Sequence, residues 1–165
     1  MSIPAWLPDM ISVDGDINKI IAVLYSIYKR DFFTHKKNFN ECYVWCEQQP
    51  STWGDRTYER SFLHLITRFD YQTDERLFDP RRSEKLPWCG AVIENIDRKE
   101  VMYWDYEEGN KTTRTYIWLK EYDYVVVLQR RSLRKFDVYF LITAFHVDGA
   151  SKRRNLERKY KNRNT

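Results

Sequence analysis

Four groups of side chains have the types that proton transfer and phosphate chemistry need. His64 stands in Phe62-Leu63-His64-Leu65, and an imidazole is the side chain whose ordinary pKa suits proton transfer near neutrality. Arg81, Arg82 and Lys85 follow Asp79-Pro80, a helix-start pair. A helix N-terminus favours anions, and a guanidinium fork fits phosphate oxygens. Arg114, Tyr116 and Trp118 alternate along a strand-like run and would share one face, combining phosphate pairing with stacking on bases. Thr143, in the last strand-like run, offers a hydroxyl to a phosphate oxygen or a ribose 2′-hydroxyl. Such a set has the parts for cutting RNA without a metal: a proton acceptor, a donor and cations for the charge that develops on phosphorus.

Each group also has an ordinary structural role open to it. His64 fits a hydrogen-bonded interior histidine, the basic trio a solvated helix face paired with Asp79 and Glu84, and Tyr116 with Trp118 an exposed sheet surface. Trp88 reads as core. His35 lies in a loop-like stretch, and His146 at the end of a strand reads as surface. No phosphate-binding glycine loop, nucleophile elbow or HExxH is present. The acids show no nuclease-metal spacing, and Cys42 with Cys46 lacks a second Cys/His pair, so neither a metal nor a cofactor is expected.

The elements that must hold these groups follow from periodicity. Ile17, Ile20, Ile21, Leu24, Ile27 and Tyr28 repeat at helical spacing over 14–30. Residues 38–48 fit a short helix or a strand, 49–55 a turn, and 59–67 a strand or a short helix. A helix starts at Asp79-Pro80. Pro87 ends or kinks it, or opens the next, whose buried stripe is Leu86, Cys89, Val92, Ile93 and Ile96. From residue 101 the pattern turns to strands at 101–106, 114–119, 122–128 and 137–147, separated by short loops. The expected fold class is α+β, with N-terminal helices on an antiparallel sheet of about four or five strands. On the last strand, strict alternation puts Tyr139, Leu141, Thr143 and Phe145 on one face, and Thr143 opposite His146 unless a bulge intervenes.

At 165 residues, with 16% aromatic residues and only five Gly and five Pro, the chain reads as one ordered domain. The domain is placed at 1–150 and a basic tail at 151–165. The tail holds seven of the 28 Lys and Arg but one of the 24 Asp and Glu, so it carries +6 and the remainder −2. It suits either a helix or a mobile arm, and either a polyanion-binding or a solubilising role. No apolar run is long enough to span a membrane and no signal peptide is recognised. Three cysteines without a secretion signal point to free thiols and a cytoplasmic setting.

In order along the chain, Leu24-Tyr25-Ser26-Ile27-Tyr28-Lys29-Arg30-Asp31-Phe32, Phe62-Leu63-His64-Leu65, Arg81-Arg82-Ser83-Glu84-Lys85-Leu86-Pro87-Trp88, Tyr124-Val125-Val126-Val127-Leu128 and Leu141-Ile142-Thr143-Ala144-Phe145 resemble a phage- and prophage-associated family of small uncharacterised proteins. The resemblance covers about residues 17–160. That family is similar to the barnase, EndoU, colicin and RelE-like ribonucleases, which pack helices on a four-stranded antiparallel sheet and often act as RNA-cleaving toxins. The resemblance implies a sheet-face site drawing on His64, Arg82, Arg114 and Thr143, helped by Arg81 and Lys85. It implies RNA, such as tRNA or rRNA, as partner, and a cognate inhibitor protein. The chain has no counterpart, at any spacing that aligns, of the glutamate, arginine and histidine of barnase. Three functions are therefore carried forward: a metal-independent ribonuclease of toxin-like or phage-accessory type, a non-catalytic nucleic-acid-binding module, and a protein-interaction or inhibitor module.

Overall fold

A computed structural model describes residues 2–165. Asp16 caps α1 (Ile17–Lys29) by accepting from the Asn18 amide at 2.8 Å, and the predicted apolar stripe buries Ile20, Ile21, Leu24, Ile27 and Tyr28. One wide turn, Arg30–Thr34, continues the helix and buries Phe32. Two short strands follow, β1 (Asn38–Phe39) and β2 (Cys42–Trp45). Next come a hairpin of β3 (Pro50–Trp53) with β4 (Arg56–Glu59), then α2 (Arg60–Ile66). Phe62, Leu63, Leu65 and Ile66 are all buried, which no alternating strand could achieve, and the segment resolves as a helix carrying His64. A second hairpin, β5 (Thr67–Asp70) with β6 (Glu75–Phe78), leads to α3 (Pro80–Glu84) and α4 (Leu86–Glu94).

The expected meander forms as β7 (Met102–Glu107), β8 (Thr113–Leu119), β9 (Tyr124–Ser132) and β10 (Asp137–His146). Two features go beyond it. The strand β2 joins the far edge of β10 in parallel, through Tyr43–Val138 and Trp45–Phe140, and β1 pairs outside it, giving six strands in the order β1-β2-β10-β9-β8-β7. A bulge at Ile142 shifts the β9–β10 register between Leu141 and Thr143. It resets the alternation. Leu141 and Ala144 both enter the main core with α1, α2 and α4, whereas Thr143 pairs with Val127 on the opposite face. The expectation that Leu141 and Thr143 share a face is corrected by this one inserted residue.

The opposite face has a core of its own. After β10 the chain turns at Gly149, whose φ of +85° a side chain would strain, and enters α5 (Gly149–Lys161). The basic tail is thus a helix laid on the sheet. Leu156 is buried among Trp104, Tyr116, Trp118, Val125 and Val127, and Tyr160 meets Trp104 edge-on at 5.3 Å. The boundary expected at residue 150 therefore falls inside a packed helix. Among the described residues no helix is long and apolar enough to cross a membrane.

Candidate functional site

Beyond Phe140, β10 loses its β2 partner, and α2 with α3 pack there instead. Arg82 makes the join. Asp79 caps α3 and accepts from the Arg82 amide at 3.0 Å, which fixes where the side chain starts. The Arg82 guanidinium then donates from Nη1 to the carbonyls of His64 and Thr67, each at 2.7 Å, where α2 has no helical partner for them. It also reaches Thr143 Oγ1 at 3.5 Å, and that hydroxyl donates to the His64 carbonyl at 3.2 Å. Burial lowers the Arg82 pKa and the Asp79 carboxylate opposes the shift, so the guanidinium stays charged. Its Nε has no hydrogen-bond partner, with Asp79 Oδ2 at 3.7 Å.

From this join a cleft of about 320 Å³ opens between the sheet and α5. Arg82, Arg114 and Thr143 line it from one side, and Lys152, Asn155 and Lys159 from the helix. Tyr116, Val127, Phe145 and Leu156 make its apolar lining. The acid beside Lys159 and Tyr116, Glu108, is already neutralised. Lys159 donates to both Glu108 oxygens at 2.9 and 3.0 Å and to the Tyr116 hydroxyl at 2.8 Å, and that hydroxyl donates to Glu108. Burial alone would raise the Glu108 pKa, but the bonds from Lys159 and Tyr116 outweigh it and hold the carboxyl below its ordinary value. The same burial, with Glu108 beside it, drives the Tyr116 phenol up. Among the described residues Arg114 and Lys152 make no ion pair or side-chain hydrogen bond.

No family model, curated protein or solved structure matches the chain.

Three of the four predicted catalytic residues, Arg82, Arg114 and Thr143, thus share one concavity, and the fourth does not. Only the backbone carbonyl of His64 meets Arg82 and Thr143. His64 lines a separate groove, with Glu47, Arg60, Ser61, Arg131 and Phe140. Burial there, reinforced by Arg76, Arg60 and Arg82, pushes its pKa down to about 4. The folded protein therefore holds His64 neutral, whereas the unfolded chain protonates it near 6.5. Stability should fall as pH drops below about 6.5 and level off below about 4. The loss is about 1–2 kcal/mol, allowing for solvent screening of the partly exposed imidazole. Urea midpoints measured from pH 7.5 to 4 would show this, and His64→Gln should flatten the component. An identical pH profile in the variant would remove His64 as its source.

The remaining expectations separate cleanly. Lys85 is buried rather than offered to a phosphate. Its ammonium donates to the Tyr122 carbonyl at 3.1 Å and lies 2.8 Å from His146 Nδ1. Arg81 Nη1 lies 2.9 Å from His146 Nε2. One imidazole lies between the two cations and can accept from one of them at a time, and neither cation lines the cleft. Burial lowers the pKa of His146, helped by Lys85 and Arg81. Tyr116 and Trp118 are 5% and 0% exposed, so the expected stacking surface is in fact the floor under α5 and presents no ring to a base. Cys46 and Cys89 are buried free thiols, Cys46 pushed up to about 12 by desolvation. Among the described residues no three His, Cys, Asp or Glu are grouped to hold a metal. The α5 contributors went unrecognised in sequence although the signal was there: Lys152, Asn155, Leu156 and Lys159 recur at helical spacing within the basic stretch.

Proposed function

We propose that the protein binds RNA, holding the phosphodiester backbone in the cleft between the sheet and α5. The observation that carries this reading is the pair of unpartnered cations there, Arg114 from the sheet and Lys152 from the helix, beside an acid that Lys159 already neutralises. Asn155 adds an uncharged donor to the same lining, whereas the Thr143 hydroxyl already donates to the His64 carbonyl and offers a ligand only its lone pairs. Arg82 holds the edge of the cleft in place more than it reaches for ligand, because its Nη1 is committed to α2. Binding of this kind is driven largely by counterion release and weakens steeply with salt.

A second reading is favoured by the neighbouring groove, where the neutral His64 imidazole stands among Arg60, Arg131 and Glu47. In it the protein cleaves the bound RNA, with His64 accepting the ribose 2′-hydroxyl proton and the two arginines steadying the phosphate. A base with so low a pKa accepts protons weakly at neutrality, which is why binding stands first.

One experiment serves both. A labelled oligouridylate is titrated by anisotropy across a salt series, and the same samples in EDTA are run on a sequencing gel. The double variant Arg114→Ala/Lys152→Ala should stay folded, bind about 10-fold or more weakly, and lose roughly 1–1.5 from its log–log salt slope, about 0.7 for each phosphate contact on a single strand. Unchanged affinity and slope would remove the cleft from recognition. Cleavage by wild type that His64→Ala abolishes would establish the second reading, and intact RNA in both lanes would end it.

A further inference from the structure

The helix α5 covers only part of its sheet face. Over β2, the first residues of β10 and the end of β9 that face is open. The parallel register places Trp45 beside Phe140, their rings 6.0 Å apart, with Tyr43 two residues along on the same face. The Arg131 guanidinium lies 4.0 Å from the Phe140 ring centre. Tyr43 is 54%, Trp45 41% and Phe136 53% exposed, and the three border one groove of about 300 Å³ that wraps the outer edge of β2 onto Phe32, Phe33 and Lys36.

Three exposed aromatic rings on one surface need an occupant, and their neighbours indicate its charge. The Lys36 ammonium sits 5.8 Å from the Tyr43 ring. Lys135 and Arg134 precede Phe136 in the β9–β10 connection, and Arg131 covers Phe140. Of the acids at this end, Asp137 is taken by Arg130 at 2.7 Å, and Glu47 lines the adjoining groove between Arg60 and Arg131, outnumbered by the cations there. Rings interleaved with free cations complement a strand of stacked bases and phosphates. An apolar protein partner would leave those cations buried without counter-charges.

We propose that this open half of the sheet is a base-stacking platform for single-stranded RNA, with Tyr43, Trp45 and Phe136 receiving bases and Lys36, Arg131 and Arg134 the intervening phosphates. The proposal rests on the nucleic-acid reading above and deepens it, since it names the strandedness of the ligand. Phe140 and Thr143 lie on the same face of β10, three residues apart, or about 10 Å along a strand. One strand can therefore run from the platform past the His64 groove into the cleft. A duplex cannot use the platform, because its bases are already stacked on one another.

The test compares a 12-nucleotide oligouridylate, the corresponding RNA duplex and inorganic polyphosphate by anisotropy or competition. Four proteins are used: wild type, Trp45→Ala, Tyr43→Ala/Trp45→Ala, and the cleft variant Arg114→Ala/Lys152→Ala. Both aromatic sites are exposed, so their variants should fold, as circular dichroism would verify. Wild type should prefer the single strand to the duplex. Trp45→Ala should weaken oligouridylate roughly 5- to 100-fold, the range for loss of one stacked base, while leaving polyphosphate unchanged, and Trp45→Phe should restore most of the loss. The cleft variant should weaken both polyanions. Wild-type affinity for oligouridylate in the double aromatic variant overturns the platform and leaves the cleft reading standing. An effect of Trp45 with none from Arg114 and Lys152 upholds the platform and overturns the cleft. Failure of every polyanion to bind overturns both, and assigns the aromatic surface to a protein partner.

Discussion

Arg82→Ala should lower folding stability by about 3–5 kcal/mol, the range for removing one member of a buried charged network. The substitution strips the carbonyls of His64 in α2 and Thr67 at the start of β5 of 2.7 Å donors and leaves Asp79 facing the vacated space. Thr143 at 3.2 Å and Arg76 at 3.1 Å still donate to these carbonyls, so the cost is that of losing bonds from a charged donor, about 1.5–3 kcal/mol each. Arg82→Lys should recover only part of this, because a single ammonium lacks the planar fork that spans two carbonyls. Arg114→Ala is the control, since a cation with no partner should change stability by no more than about 0.5 kcal/mol. Urea unfolding of the three variants measures the contrast. An Arg82→Ala protein as stable as wild type would refute the structural role and return Arg82 to the ligand.

Ending the chain at Asp148 should abolish cooperative folding. The helix α5 is the cover for Trp104, Tyr116, Trp118 and Val127, and without it these rings face water. Exposing one large apolar side chain costs roughly 1.5–3 kcal/mol, so four together approach the whole stability of a domain this size. Arg153 also seals this layer, bonding Asp123 at 3.1 Å and lying 5.8 Å from the Trp118 ring. The truncated protein should aggregate or bind a hydrophobic dye, and Leu156→Asp should reproduce much of the effect at full length. A soluble truncated chain with a sharp thermal transition would show that the second core is dispensable. If the expected result holds, deletion of the basic helix cannot report on RNA binding, and point changes at Lys152 must do so.

Much of this fold was legible in the sequence, because its strongest signals are local. The stripe of α1, the Asp79-Pro80 start and the four-strand meander all follow from the spacing of neighbouring residues. The parts that escaped depend on distant ones. No local pattern marks Cys42–Trp45 as partner of Val138–Phe140, and no residue type marks the bulge at Ile142. Alternation puts Tyr116 and Trp118 on a shared face, but whether that face meets water depends on α5, some 40 residues further along. The candidate site divides the same way. Residue chemistry singled out Arg82, Arg114 and Thr143, which share a concavity. Lys85 and His64 carry equally suggestive chemistry, yet one is consumed by Tyr122 and His146 and the other faces a different groove.

The parallel pairing of β2 with β10 also sets the order in which the molecule can assemble. Its partners stand about 95 residues apart, so closing that loop must wait for an edge that the C-terminal meander alone provides. During synthesis the apolar faces of α1, α2 and α4 emerge first, with no sheet to cover them until the chain has grown past residue 146. The strand bearing Tyr43 and Trp45 is then among the last pieces to dock. A chain stalled before completion would expose its helices, need protection from self-association, and lack the very edge on which those two rings are displayed.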